Sequence, residues 1–210
     1  MVRKPSPRYA VLFVAAAVLM VAGDAAALSP HERDGWVVNL AYGNARGKAV
    51  FGTSSPILEA ETEDGVSPAI RIGHMVGSKV ALSVSYVGWL YETGQDPDKL
   101  RFTFQNIMAT ASWYPGNPER ASGGLYLRGS AGLAWSAVVY VPVVEDEEQG
   151  HGDRQKNNGL GLEFCLGYEF RVARHVAVGL SASLIHQEFG KDIYDSATFV
   201  PVVLDLGFYW

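Results

Sequence analysis

The stretch "GLGLEFCLGYEFRVARHVAVGLSASL" (residues 159–184) carries the pattern that decides the fold. Large apolar side chains occupy every even position from Leu160 to Val172, whereas the odd positions hold glycine, Cys165 and charged residues. After a short connection the alternation resumes at Val176 and continues to Leu184. Because a two-residue period is typical of a β-strand, the stretch predicts two antiparallel strands joined by a tight turn.

The composition of the two strand faces indicates what each face meets. One face is aliphatic and aromatic, and the other is small and polar, with Gly, Ala, Ser and a few charged residues. A soluble sandwich would instead show Lys, Glu and Thr to water on its outer face. The pattern therefore predicts a transmembrane barrel, with apolar residues outside and small polar residues in a narrow lumen.

Six further stretches alternate in the same way, which brings the number of strands to eight. They are residues 35–43, 68–76, 79–90, 100–114, 124–141 and 196–210. In residues 100–114 the apolar face begins with Phe102 and Phe104 and then moves to odd positions, including Ile107, so we predict a β-bulge near Gln105–Asn106. The predicted fold is all-β: an eight-stranded antiparallel up-and-down transmembrane β-barrel.

The connections alternate between short and long. Residues 75–79, 115–124 and 171–175 form the shorter ones, and residues 44–66, 91–99, 142–157 and 190–195 form longer or more polar ones. Short turns at one end and long loops at the other are typical of a membrane barrel. Because a bilayer cannot satisfy a free strand edge, the first and last strands are expected to pair with each other.

The first residues have a different character. Arg3, Lys4 and Arg8 precede an apolar run of fourteen residues, which is followed by the small residues Ala25 and Ala27. This order predicts a secretory signal peptide over residues 1–27, cleaved after Ala27, rather than a membrane anchor. We expect residues 28–34 to form a short periplasmic segment and residues 35–210 to form the barrel.

The sequence resembles the small outer-membrane β-barrel proteins of Gram-negative bacteria, the eight-stranded OmpA-type and related porin-like families. The resemblance rests on residues 159–184 and on the terminal "LDLGFYW" (204–210). It implies a location in the outer membrane, contact with outer-membrane lipid and lipopolysaccharide, and recognition of the last strand by the barrel-assembly machinery. The residues that match the family's C-terminal assembly signal are Leu204, Leu206, Phe208 and Trp210, with Trp in place of the more usual Phe.

The charged residues of the inward face are the first candidate site. Arg71, Arg128, Glu163 and Asp205 are predicted to form a polar network in the lumen, because unpaired charges there would be costly. Glu169 and Arg171 have the same parity but lie near a barrel end, where water reaches, and Arg101 joins the inward set if the bulge is present. A plugged lumen and a gated small pore both remain open. The predicted interfacial aromatic belts include Trp36, Trp113 and Tyr168.

Three functions from different classes fit this architecture. The first is a structural or interaction role, in which a monomeric barrel presents extracellular loops such as the acidic "EDEEQGHGDRQKNN" (145–158), solvated or in contact with divalent ions or lipopolysaccharide. The second is a narrow porin for ions or small solutes. The third is a lipid A-modifying enzyme, but no His in the sequence has the Ser two residues on that the deacylase type needs, so we predict no catalytic residue.

Cofactors, metals and nucleic acids are not expected partners. Cys165 is the one cysteine of the chain, so neither an intrachain disulfide nor a thiolate metal cluster can form. With 22 acidic residues against 17 basic ones, the chain has a formal charge of −5, which is the wrong sign for binding nucleic acid.

Overall fold

The chain folds into one closed β-barrel in the computed structural model, which describes residues 33–51, 62–94, 98–117, 121–142, 155–190 and 194–210. The eight strands are β1 (Trp36–Phe51), β2 (Thr62–Met75), β3 (Val80–Thr93), β4 (Asp98–Trp113), β5 (Leu125–Pro142), β6 (Gln155–Ala173), β7 (Val176–Phe189) and β8 (Tyr194–Tyr209). A short 3₁₀ turn, Ala121–Gly124, precedes β5. Within the described ranges, no helix is long and apolar enough to cross a bilayer.

Every strand pairs antiparallel with its neighbours in sequence, and β1 also pairs with β8. This last pairing, which we call the seam, runs from Val37 opposite Tyr209 to Phe51 opposite Tyr194, with one irregularity at Val50/Phe51. The predicted fold class, an eight-stranded closed barrel, is confirmed.

The exterior carries the predicted apolar face. Exposed side chains on the outside include Leu40, Ile72, Val84, Leu133, Leu162, Phe164, Leu184 and Val202, whereas their sequence neighbours point inward. A water-soluble barrel would reverse this arrangement, because apolar side chains would then fill the core and polar ones would face solvent. The exterior is therefore suited to hydrocarbon, and we treat the barrel as membrane-spanning.

The two barrel ends differ, and we name them by their connections. The turn end holds the tight turns after Met75 and Ala173, the 3₁₀ turn, and residues Arg33 and Trp210. The loop end holds the connections at 52–61, 94–97, 143–154 and 190–193. Backbone hydrogen bonds between Trp36 and Trp210 (2.7 and 3.1 Å) close the seam at the turn end.

The predicted β-bulge near Gln105–Asn106 is wrong. β4 pairs without a register shift with both β3 and β5. Phe102 and Phe104 share the inward face with Asn106 and are 1 % and 0 % exposed, while Ile107 faces outward. Phe102 and Phe104 were assigned to the lipid face because they are large and apolar, although such side chains can also fill the lumen.

The predicted long connections were placed too wide. Residues 44–51 and 62–66 belong to strands, so that only residues 52–61 separate β1 from β2. In this part of β1 the inward side chains include Ala45 and Ala49, and the outward ones include Arg46 and Lys48. Small inward and charged outward residues do not show the large apolar face by which the other strands were recognised. The predicted signal peptide (residues 1–27), residues 28–32 and most of the acidic loop lie outside the described residues, although Gln155 to Asn158 of that loop belong to β6.

Candidate functional site: the interior of the barrel

Glu163 is the centre of the polar interior. Its carboxylate accepts hydrogen bonds from Ser130 Oγ (2.7 Å to Oε2) and Ser183 Oγ (2.9 Å to Oε1). Two guanidinium groups lie beside the Oε1 atom, Arg71 Nη2 at 3.4 Å and Arg128 Nη1 at 3.7 Å. Alternate residues of β5, β6 and β7 point into the lumen. Ser130 on β5 and Ser183 on β7 therefore both reach the carboxylate of Glu163, which lies on β6 between them.

Asp205 on β8 forms the second acidic centre. Ser181 Oγ and Tyr126 OH donate to its Oδ2 atom at 2.5 and 3.1 Å, and Arg71 Nη1 lies 3.6 Å from Oδ1. The Tyr126 ring lies against Gly167, where any larger residue would overlap it. Arg71 thus lies between Glu163 and Asp205 and joins both carboxylates in one ionic network, which matches the rule that buried charges are paired.

Arg33 closes the turn end. Its guanidinium donates to Glu169 Oε1 (2.9 Å from Nε) and to the carbonyl of Gly123 (2.7 Å), and it stacks 3.8 Å above the Tyr114 ring. Tyr209 OH donates to the other Glu169 oxygen at 2.6 Å. Burial, reinforced by the Glu169 carboxylate, raises the pKa of Tyr114 to about 12, so its phenol stays neutral.

Aromatic side chains fill the loop half of the lumen. Trp89 stacks on Phe104 and Phe199 with ring centroids 5.3 and 5.1 Å apart, and Tyr91 stacks on Phe102 at 4.9 Å. Trp89, Phe104 and Phe199 have no exposed surface. We call the residues Trp89, Tyr91, Phe102, Phe104, Phe189 and Phe199 the aromatic plug. Rings packed at these distances leave no room for water between Trp89, Phe104 and Phe199.

A layer of hydroxyl and amide groups connects the plug to the charges. Ser85, Thr110 and Ser130 form a chain of hydrogen bonds that ends at Glu163 (2.7 and 3.0 Å between successive oxygens). Nearer the plug, Gln187 donates from Nε2 to the carbonyl of Gln105 at 3.2 Å. Along the described part of the lumen, the aromatic plug, the hydroxyl and amide groups and the paired charges therefore follow one another. A cavity of about 30 Å³ lies beside Arg71 and Arg128, which is enough for one or two waters.

The structure brings together all four residues of the predicted lumen network: Arg71, Arg128, Glu163 and Asp205 are 3–6 % exposed and lie within the contacts given above. Glu169 and Arg171 are also buried rather than solvated. Arg101 does not join them, because it faces outward and pairs with Glu92 at 2.7 Å. The prediction that Arg101 points inward depended on the β-bulge and is wrong for the same reason.

The remaining predicted residues lie on the outside. Leu204, Leu206 and Phe208 share the outward face of β8, and Trp210 follows them on the same side directly after the strand ends. Trp36, Trp113 and Tyr168 all lie at the turn end, so the belt that they are predicted to form would be a single one. The assembly signal on the last strand and the aromatic belt at the turn end both stay predictions.

Two parts of the interior were missed by sequence reasoning. Arg33 precedes β1 and has no strand parity, so no pattern could place it in the lumen. The aromatic plug could have been found from Phe102 and Phe104, since they share a parity with Asn106 and Met108. That shared parity was hidden because large aromatic residues were assigned to the lipid face.

The exterior has its own concave feature. Ala109, Ala111, Gly129 and Ala131 form a square of small side chains on β4 and β5, at the bottom of a depression of about 740 Å³. His186 lies at its margin, where its Nδ1 atom is 2.8 Å from Thr198 Oγ1. Among the described residues, no group of His, Cys, Asp and Glu side chains is arranged to hold a metal ion.

Comparison with known proteins supports the fold. No family model and no curated protein matches the chain. The solved structure of Neisserial surface protein A (NspA) superposes with a TM-score of 0.57 at 14 % identity, over 83 % of this chain and 97 % of that one. Ail, the attachment invasion locus protein of Yersinia pestis, solved with the heparin analogue sucrose octasulfate, gives 0.53 at 10 % identity, over 83 % and 98 %. The resemblance to small outer-membrane barrels is confirmed at the level of the fold.

Proposed function

We propose that the protein is a monomeric outer-membrane barrel with a structural or interaction role, which holds its loop-end connections at the cell surface and does not conduct. The filled lumen is the observation that carries this proposal. A pore needs a continuous water path, whereas this interior holds the aromatic plug above a network of paired charges. The solved barrels of similar fold support the architecture.

The loop end has the character of a surface that faces water. Outward side chains there include the charged residues Arg46, Lys48, Asp64, Glu92 and Arg101, with Val50 and Val66 among them. The strands have 14 to 19 residues, more than the nine to eleven or so that a tilted strand needs to cross the hydrocarbon. We therefore infer that the barrel wall continues beyond the membrane and holds the connections above it.

The connections themselves are acidic in sequence. They contain Glu59, Glu61, Asp96, Glu145, Asp146, Glu147, Glu148, Asp153 and Asp192 against Arg154 and Lys191. A surface of this charge favours basic partners, or divalent cations shared with neighbouring phosphates, over sulfated sugars. The partner class that we propose for the connections is therefore cationic.

The non-conducting lumen can be tested in a planar bilayer. We expect the folded wild-type barrel to give no current above that of the bare membrane, because the stacked rings of Trp89, Phe104 and Phe199 exclude water. Insertion is checked separately by heat-modifiable migration on a gel. Steady unitary current steps from the wild-type protein would instead favour the narrow porin.

The orientation can be tested by cysteine labelling of intact cells. Cys165 is fully buried, so the folded wild type is expected to remain unlabelled by a membrane-impermeant maleimide. Gly150→Cys, in the connection between β5 and β6, should react on intact cells. Ser78→Cys, in the exposed turn between β2 and β3, should react only after the envelope is opened. The reverse pattern would place the turn end outside and refute the proposal.

The enzymatic alternative has weaker support. His186 is hydrogen-bonded to a threonine on the neighbouring strand, but its other ring nitrogen has no carboxylate partner among the contacts of the described residues. A nucleophile activated by a base generally also needs a group that orients the base. We therefore retain the non-enzymatic function.

A further inference from the structure

We propose that the depression on the lipid-facing wall binds an acyl chain of lipid A, with the phosphate-bearing head group on the polar residues that follow it toward the loop end. This inference rests on the orientation given under the proposed function, because that orientation puts the loop end in the lipopolysaccharide leaflet. It adds a defined place on the barrel and a specific lipid.

The depression results from a gap in the side-chain layer of the exterior. Ala109 lies opposite Ala131, and Ala111 lies opposite Gly129, on neighbouring strands. Two adjacent cross-strand pairs of the outward face therefore have no large side chain. A Cβ added at Gly129 would meet no atom within 4 Å. Larger residues surround the square: Leu82 on β3, Leu162 and Phe164 on β6, and Leu184 on β7.

Hydrocarbon is the occupant that this geometry favours. The depression is continuous with the apolar exterior, and the outward side chains that line it are apolar except at His186. The other polar residues of its lining, Ser83, Thr110, Ser130 and Glu163, have inward parity. A void against apolar side chains forfeits dispersion contacts, which a flexible chain can restore. A second copy of the barrel fits less well, because a cylindrical wall is convex and would leave the concave bottom unfilled.

The sheet register connects the depression to basic residues. Ala109, Ala131 and Leu162 lie in one hydrogen-bonded row across β4, β5 and β6. The same row continues through His186 on β7 and Thr198 on β8 to Lys48 on β1. Since strands tilt in a barrel, such a row runs obliquely through the membrane, and its end at Lys48 lies at the loop end.

The residues at that end suit a phosphate. Lys48 and His186 are exposed, and the Thr198 hydroxyl lies between them on the neighbouring strand. Neighbouring strands are about 4.8 Å apart, so the three groups can reach one head group. Acidic residues lie on either side of Lys48, Thr198 and His186, where their charge would repel a phosphate. Asp64 lies 3.8 Å from Arg46, and Glu188 is two residues from His186. A phosphate is therefore expected to lie on the Lys48–Thr198–His186 row itself.

Native mass spectrometry of the refolded full chain tests the proposal, with purified lipid A and phosphatidylethanolamine as separate probes. The wild type should retain one lipid A molecule after the detergent is removed. The filling variant Gly129→Leu/Ala131→Leu should lower this retention about tenfold or more, since a chain excluded from the depression loses the burial of at least two methylene groups. Ala182→Leu, on the lipid face of β7 outside the depression, should retain lipid A as the wild type does.

The head-group half is tested by Lys48→Gln/His186→Gln. This variant should lose lipid A but bind phosphatidylethanolamine as weakly as the wild type. Equal retention of the two lipids by the wild type, no retained lipid, or a dimer that the filling variant abolishes would each overturn the proposal. Heat-modifiable migration confirms that each variant is folded. Cysteine labelling reports the orientation separately, so a reversed barrel would not be confused with an empty depression.

Discussion

Removal of Phe208–Trp210 is expected to abolish membrane insertion. The deletion removes both hydrogen bonds between Trp36 and Trp210, and it removes Tyr209, whose hydroxyl donates to Glu169 and whose ring lies 3.7 Å below the Arg171 guanidinium. The seam then loses its turn end, and exposed backbone groups cannot be satisfied in hydrocarbon. Heat-modifiable migration and protease resistance in vesicles measure the outcome.

A conservative variant separates the seam from the proposed assembly signal. Trp210→Phe keeps an aromatic terminus and leaves the backbone pairing intact, so we expect it to insert normally. Trp210→Asp keeps the pairing but removes the aromatic group, and it should refold in detergent while accumulating less in cells. If the truncated chain formed a normal heat-modifiable barrel, neither the turn end of the seam nor the signal would be needed for insertion.

Glu163→Gln is expected to give the largest loss of stability for one substitution in the lumen. The Glu163 side chain is buried, and it is the carboxylate that lies beside both Arg71 and Arg128. Removing one partner of a buried ionic group leaves uncompensated charge, which costs about 3–5 kcal/mol. The free energy of unfolding, from urea titration of the barrel in lipid vesicles, should fall by that amount.

Glu188→Gln is the matched control for this prediction. Glu188 has the same side chain on the next strand but is exposed on the exterior. Its substitution should change the free energy of unfolding by less than about 1 kcal/mol. If the two variants had the same free energy of unfolding, the charges of the lumen would be stabilised by water rather than by each other.

Parity predicted the architecture because lipid and lumen impose opposite demands on neighbouring residues. Leu162 and Glu163 could be assigned to opposite faces from sequence alone, and the structure places them so. The four residues of the predicted lumen network were accessible to the same reasoning. Which of them lie together was not, because inward residues on distant strands, such as Arg71 and Glu163, meet only after the barrel closes.

The failures also have a physical cause. A narrow lumen can be filled by large apolar side chains as well as by small polar ones, so Phe104 satisfies the rules of both faces. Arg33 lies before the first strand, and its position depends on Glu169 and Tyr114, which are far away in sequence. Periodicity describes strands and says little about the residues that close their ends.

The order of the strands has a kinetic consequence. Seven of the eight pairings join neighbours in sequence, so each can form as a local hairpin with a small loss of loop-closure entropy. The pairing of β1 with β8 brings Val37 to Tyr209 and is, among the described strand pairings, the one that joins strands far apart in sequence. Folding is therefore expected to proceed as a sheet that grows by adjacent strands, with cyclisation as the slow final event.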